Sequence, residues 1–288
     1  MSTPSPSPIP GIKVLLEGGP GSGKTHSLRT LAAAGIETAV LFTEPGMDVL
    51  NDTSKDHVHW VYVKPIMESL QGFKDIIRVM GQLPFEGLTK MVDPKRAKQN
   101  RFEAMMEPLM DYKCIRCGKV LGNIGTWGTD KCLAIDSLSG LSIAAIKLVA
   151  GDRPALNPSD YGMAQQALEG IINQITINYG FHFVLLSHID METDPIQGGT
   201  RIYPGTVGQK LAPKLPRFFS DVILAKRQGT EWLWDTADSR ADLKTRNAPV
   251  SPKLRPDFKP LIEAWKSRGG IISPTPWVDE YQPGEDTE

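Results

Sequence analysis

Eight consecutive residues carry the clearest chemistry in this chain. Gly18, Gly19, Pro20, Gly21, Ser22, Gly23, Lys24 and Thr25 match G-x-x-x-x-G-K-[ST], a phosphate-gripping pattern. Glycines let the backbone curl until its N–H groups face phosphate oxygens. Lys24 then reaches the β- and γ-phosphates of ATP, and the Thr25 hydroxyl holds Mg²⁺. Asp136 closes the apolar run CLAID and is followed by Ser137, the placing of a carboxylate that holds the same Mg²⁺ through its hydration shell. Glu44 follows the run TAVLFT, and is either a general base that orients water or a solvated, capping glutamate. His188 follows FHFVLLS, and either reports the γ-phosphate or is a hydrogen-bonded loop histidine.

These residues need elements that bring them to one edge. Ile12–Glu17 reads as a buried strand feeding the loop, and Thr25–Ala34 as the helix leaving it, with Leu28, Leu31 and Ala32 on one face. The helix adds its positive N-terminal end to the phosphate site. Further apolar runs predict strands at Thr38–Thr43, Val58–Val63, Cys132–Asp136 and Phe181–Ser187, and shorter ones near Asp221–Lys226, Glu231–Asp235 and Ala241–Arg246. Helical spacing marks Ile66–Met80, Leu138–Ala150, Ser159–Asn178 and Lys259–Ser267. Strands buried on both faces alternate with helices, which predicts an α/β fold with a mostly parallel central sheet flanked by helices. Ligands of such sheets sit at the carboxyl ends of the strands. Residues 1–10 read as a disordered arm, 11–268 as one domain, and 269–288 as an acidic, proline-rich tail.

Periodicity fails between Leu83 and Asp130, which reads as an insertion. It holds a basic run, Lys95 to Arg101, and the pair Cys114 and Cys117. A C-x-x-C pair followed by glycine is half of a zinc knuckle, and Cys132 stands as a third candidate ligand. The competing reading is a pair of reduced thiols, with Cys132 buried in its strand. Three cysteines in 288 residues speak against a disulfide framework and fit a reducing cytoplasm. No apolar run reaches the ~20 residues of a membrane-spanning helix. A net charge of −1 leaves no global basic field, so contact with nucleic acid falls to local groups: the basic run, or Arg201, Tyr203 and Lys210.

The set GGPGSGKT, VLFTE, LAIDS, VLLSHID and LKTRNAPV resembles the RecA-like recombinase core over residues 11 to about 250. The resemblance implies a DNA-stimulated ATPase acting in recombination, with Glu44 as catalytic glutamate and Asp136-Ser137 as second nucleotide motif. His188 would be the sensor, where most of the family has Gln. Ile189 to about Gln209 would be a disordered DNA-binding loop. Lys244 and Arg246, on one face of a strand, would act on a neighbouring subunit's ATP. The reduced plan is similar to small phage-encoded RecA-like single-strand annealing ATPases. It implies single-stranded DNA, further copies of this chain and a single-strand-binding protein as partners, no membrane, and the host cytoplasm as location. Two other readings stand beside it: a P-loop small-molecule kinase, and a nucleotide-gated DNA-binding adaptor with little turnover.

Overall fold

The computed structural model describes residues 9–63, 109–150, 155–193, 199–208 and 210–276. The expected helix at 66–80, the basic run from Lys95 to Arg101, most of the arm and the last twelve residues of the tail lie outside them. β1 (Lys13–Gly18) enters the glycine-rich loop, and α1 (Lys24–Ser27) and α2 (Arg29–Ala33) leave it. The single helix expected there is thus two short pieces joined at Leu28. Next come β2 (Glu37–Phe42), β3 (Val58–Tyr62), a small hairpin of β4 (Tyr112–Lys113) and β5 (Val120–Gly122), then β6 (Lys131–Asp136). Helices α3 (Leu138–Ala150) and α4 (Pro158–Asn178) lead to β7 (His182–Ser187). β8 (Ile189–Thr193), β9 (Thr200–Pro204), β10 (Asp221–Gln228), β11 (Glu231–Asp235), β12 (Lys244–Thr245) and α5 (Lys259–Ser267) follow.

The main sheet runs β11-β10-β1-β7-β6-β2-β3, with β12 also on β10. Neighbours from β10 to β3 are all parallel, while β11 and β12 are antiparallel to β10. This is the mostly parallel, helix-flanked sheet expected of a RecA-like core. β7 lies between β1 and β6, so the glycine-rich loop and Asp136 are separated by one strand. That gap leaves room for a ligand at the carboxyl edge, between strand tips.

Alternate side chains feed two cores. Leu15, Leu133, Ile135, Phe183 and Leu185 pack with α3 and α4, while Val14, Leu16, Ala134, Val184 and Leu186 pack with Leu28, α2 and α5. Burial on both faces is why these strands read as unbroken apolar runs. At the start of α4, Pro158 occupies the first turn, where its missing N–H costs nothing, and the Asn157 N–H donates to the Asp160 carboxylate at 2.8 Å.

Three stretches depart from expectation. The segment from 189 is no disordered loop where it is described: β8 and β9 form an antiparallel ribbon with Ile189 opposite Pro204 and Thr193 opposite Thr200. The strand expected over 241–246 shrinks to Lys244–Thr245, because only Asp221 and Val222 of β10 offer it a partner. The end of the insertion is core, with Leu109, Tyr112, Ile124 and Trp127 buried and the Tyr112 hydroxyl donating to the Val40 carbonyl at 2.9 Å.

Candidate active site

The loop from Gly18 to Thr25 lies at the carboxyl end of β1. Gly23 has φ 83°, a left-handed conformation that side chains other than glycine's seldom adopt. Lys24 Nζ donates to the carbonyls of Gly18 at 2.7 Å and Gly19 at 3.0 Å. Burial lowers its pKa, against the pull of the Asp136 and Glu44 carboxylates. The buried Ser22 hydroxyl has no protein partner. A buried cation held only by its own loop and an orphaned hydroxyl fit a polyanionic ligand, since each unmade bond costs about 1–3 kcal/mol. ATP meets that demand with its phosphates.

The other strand tips converge here. Thr25 Oγ1 donates to Asp136 Oδ2 at 2.6 Å. Hydroxyl and carboxylate together form a hard oxygen donor set of the kind Mg²⁺ takes. Burial raises the Asp136 pKa, with the Glu44 charge adding to it and the Thr25 bond opposing; a divalent cation would favour the carboxylate. Glu44 is held from both sides. Its Oε1 accepts from Ser137 Oγ at 2.6 Å, and its Oε2 lies 3.0 Å from His188 Nε2. The His188 bond leads in holding the Glu44 carboxyl below its ordinary range, so it is ionised at neutral pH. Ionised, it can accept a proton from water once one partner yields.

Residues outside the motifs set this geometry. Thr43, one residue before Glu44, ties β2 to β6: its N–H donates to the Asp136 carbonyl at 2.7 Å, and its hydroxyl accepts from the Ser137 N–H at 2.8 Å. Gly140 in α3 lies so close that a Cβ there would collide with Thr43 Oγ1. Trp232 of β11 reaches over the loop, donating from Nε1 to the Gly21 carbonyl at 3.1 Å with its ring 5.2 Å from that of His26. Sequence reasoning passed over all three. Trp232 left a trace in the sequence, a second tryptophan two residues before Trp234 and so on the same strand face; in the structure only Trp234 is buried.

Other candidates lie elsewhere. Lys244 and Arg246 flank the start of β10, where Asp221 is level with Val14 of β1, so they stand at the sheet edge opposite their own glycine-rich loop. Lys244 Nζ donates to the carbonyls of Phe219 at 2.6 Å and Pro216 at 3.2 Å, whereas Arg246 is exposed. Arg201 pairs with Asp242 at 3.0 Å and lies 5.9 Å from the Tyr203 ring, on a ribbon that also carries Asp190 and Glu192. Lys210 is exposed. Cys132 is not a partner of the cysteine pair. It is wholly buried in β6, its Sγ faces the Leu133 carbonyl, and burial raises its thiol pKa. Cys114 and Cys117 instead meet His59 of β3, their ligand atoms all within 4.8 Å of one another.

Comparison with known proteins adds a family. A family model described as an AAA domain (AAA_24) matches residues 10–248. No curated protein matches the chain. Among solved structures it is similar to the RadB recombinase, at 15% identity over 81% of this chain and 84% of that one, with a TM-score of 0.33. The flagellar accessory protein FlaH from Methanocaldococcus jannaschii aligns at 12% identity over 92% and 84%, also at 0.33. The N-terminal domain of zonular occludens toxin from Neisseria meningitidis aligns at 11% over 80% and 86%, at 0.32.

Proposed function

Because the chain belongs to the AAA domain family, we propose that it is an ATPase that binds ATP and Mg²⁺ at Gly18–Thr25 and Asp136 and uses turnover to control single-stranded DNA in recombination or strand annealing. One observation carries the link between the two activities. His188 bonds Glu44 through its side chain, while its carbonyl accepts from the Gly205 N–H at 2.7 Å at the base of the β8–β9 ribbon. A shift of the ribbon on nucleic acid therefore moves the group that restrains the base. Bound ATP presents its γ-phosphate to Lys24. Glu44, freed from His188, takes the proton of the attacking water. Arg246 of a neighbouring copy supplies the cation missing from the site, and Lys244 positions the segment that bears it. A phage origin and a single-strand-binding partner belong to the same reading.

The test is ATPase rate against added single-stranded and duplex DNA, for wild type and His188→Ala. Wild-type turnover should rise with single-stranded DNA, and the variant should bind ATP but lose that rise. Turnover indifferent to DNA overturns the coupling; negligible turnover with intact ATP binding favours the gated adaptor. A small-molecule kinase has one observation on its side. A cleft of about 380 Å³ lies beside His188, lined by Ser139, Ser142, Ile143 and Lys147 among others, within the range of small-ligand pockets. Phosphate transfer to a small acceptor without DNA would favour it.

A further inference from the structure

We propose that Cys114, Cys117 and His59 bind one zinc ion that clamps the β4–β5 hairpin to the edge strand β3. The three side chains come from two places 55 residues apart in sequence, yet their ligand atoms form one group within 4.8 Å. Zn–S bonds of about 2.3 Å and Zn–N bonds of about 2.0 Å, at a tetrahedral angle, place S and N about 3.5 Å apart. Cys117 Sγ lies 3.5 Å from His59 Nδ1.

The surroundings are arranged for a metal. His59 Nε2 lies 3.0 Å from Glu37 Oε1, and a carboxylate there keeps the ring proton on Nε2. The Nδ1 lone pair is then left facing the thiols, the usual device by which a carboxylate orients a metal-binding histidine. Lys119 also pairs with Glu37, so that carboxylate is fixed from a second side. The cysteines sit on a tight turn: the Gly118 N–H donates to the Cys114 carbonyl at 3.0 Å, the Cys114 N–H to the Lys119 carbonyl at 2.9 Å, and Gly118 has φ 76°. The Trp60 N–H points at Cys114 Sγ at 3.4 Å, a contact that stabilises thiolate charge. The fourth position falls to water, since Cys117 is exposed and no fourth His, Cys, Asp or Glu joins the group among the described residues.

The turn already docks on β3. The Ile115 N–H donates to the Trp60 carbonyl at 2.9 Å, and the Arg116 guanidinium lies 4.5 Å from the Trp60 ring. Zinc would add a bond that closes the long connection between β3 and β4, whose closure entropy grows only slowly with length. This proposal is independent of the nucleotide site.

The experiment measures zinc in full-length protein after a chelator wash, followed by zinc-edge X-ray absorption. Wild type and Cys132→Ala should each retain about one zinc per chain, while His59→Gln and Cys117→Ser should lose it. The absorption spectrum of the wild type, which needs no variant to fold, should fit two sulfurs at about 2.3 Å and two lighter ligands. A wild type without zinc after growth in zinc-supplemented medium overturns the proposal. So does a three-sulfur fit, or a His59→Gln chain that keeps its zinc.

Discussion

Glu44 is the residue to which the proposed function assigns the base. Both its oxygens are engaged, one by Ser137 and one by His188, within a cluster that also holds Lys24 and Asp136. Glu44→Gln keeps a side chain of the same shape but accepts a proton far less readily. ATP binding should survive, while turnover should fall by ~10²–10⁴, the usual scale for a positioned base. Calorimetry with a non-hydrolysable analogue and a phosphate-release assay read the two separately, and turnover within a few-fold of wild type would remove Glu44 from the role. The loop that holds Lys24 and Thr25 was legible because eight contiguous residues carry the whole pattern. Asp136 and Glu44 were legible as apolar strands ending in acids. The bond from Glu44 to His188 was not, because it joins residues 144 apart in sequence.

At the scale of elements, the site depends on how closely α3 approaches the tip of β2. Gly140→Ala puts a methyl group into Thr43 Oγ1, which already bonds Ser137, so helix or strand tip must move. Overpacking of this kind costs about 1–3 kcal/mol. Denaturant unfolding should show that loss, and kcat should drop with it because Glu44 is the next residue; unchanged stability would mean that α3 slides freely. The parallel strands were readable since both faces are buried and their composition is uniform. The β8–β9 ribbon was not. Its alternation, Ile189-Asp190-Met191-Glu192, is half polar, and only pairing with Thr200–Pro204 decides the conformation. The strand near Lys244 erred the other way, its composition promising more ladder than β10 provides. His59 gave no signal at all, because a lone histidine in a strand acquires a metal partner only through a hairpin that folds back from residue 114.

At the scale of the whole molecule, two expectations follow. Lys244 is tied to backbone carbonyls and Arg246 is exposed at the edge away from its own nucleotide loop, so the finger role proposed for Arg246 requires a second copy. Mixing Arg246→Ala with Lys24→Ala chains, each inactive alone, should restore activity at interfaces joining an intact loop to an intact arginine. Arginine fingers are worth ~10³–10⁵ in rate, so a minority of such interfaces should be visible; oligomers with no recovery would return Arg246 to a solvated role. Glu17 makes stability depend on pH. Burial, aided by the Asp242 charge, raises its carboxyl from 4.5 to about 8, and neither oxygen has a partner. The folded chain therefore keeps a proton that the unfolded chain releases above pH 4.5. Its contribution is complete below that pH and declines until about pH 8. Glu17→Gln should flatten the decline and be the more stable form near pH 8, as urea titrations across that range would show; parallel profiles would mean a hydrated carboxylate. The two ends of the described chain share one side. Trp265 Nε1 holds the Pro10 carbonyl at 2.9 Å beside the start of β1, and Pro276 bridges Gly128 just before β6. Both lie at the amino ends of parallel strands, away from Thr25 and Asp136. A tether attached at Pro10 or Pro276 would thus hold the molecule by its back and turn the nucleotide edge outward, an orientation suited to single-molecule work on an anchored chain.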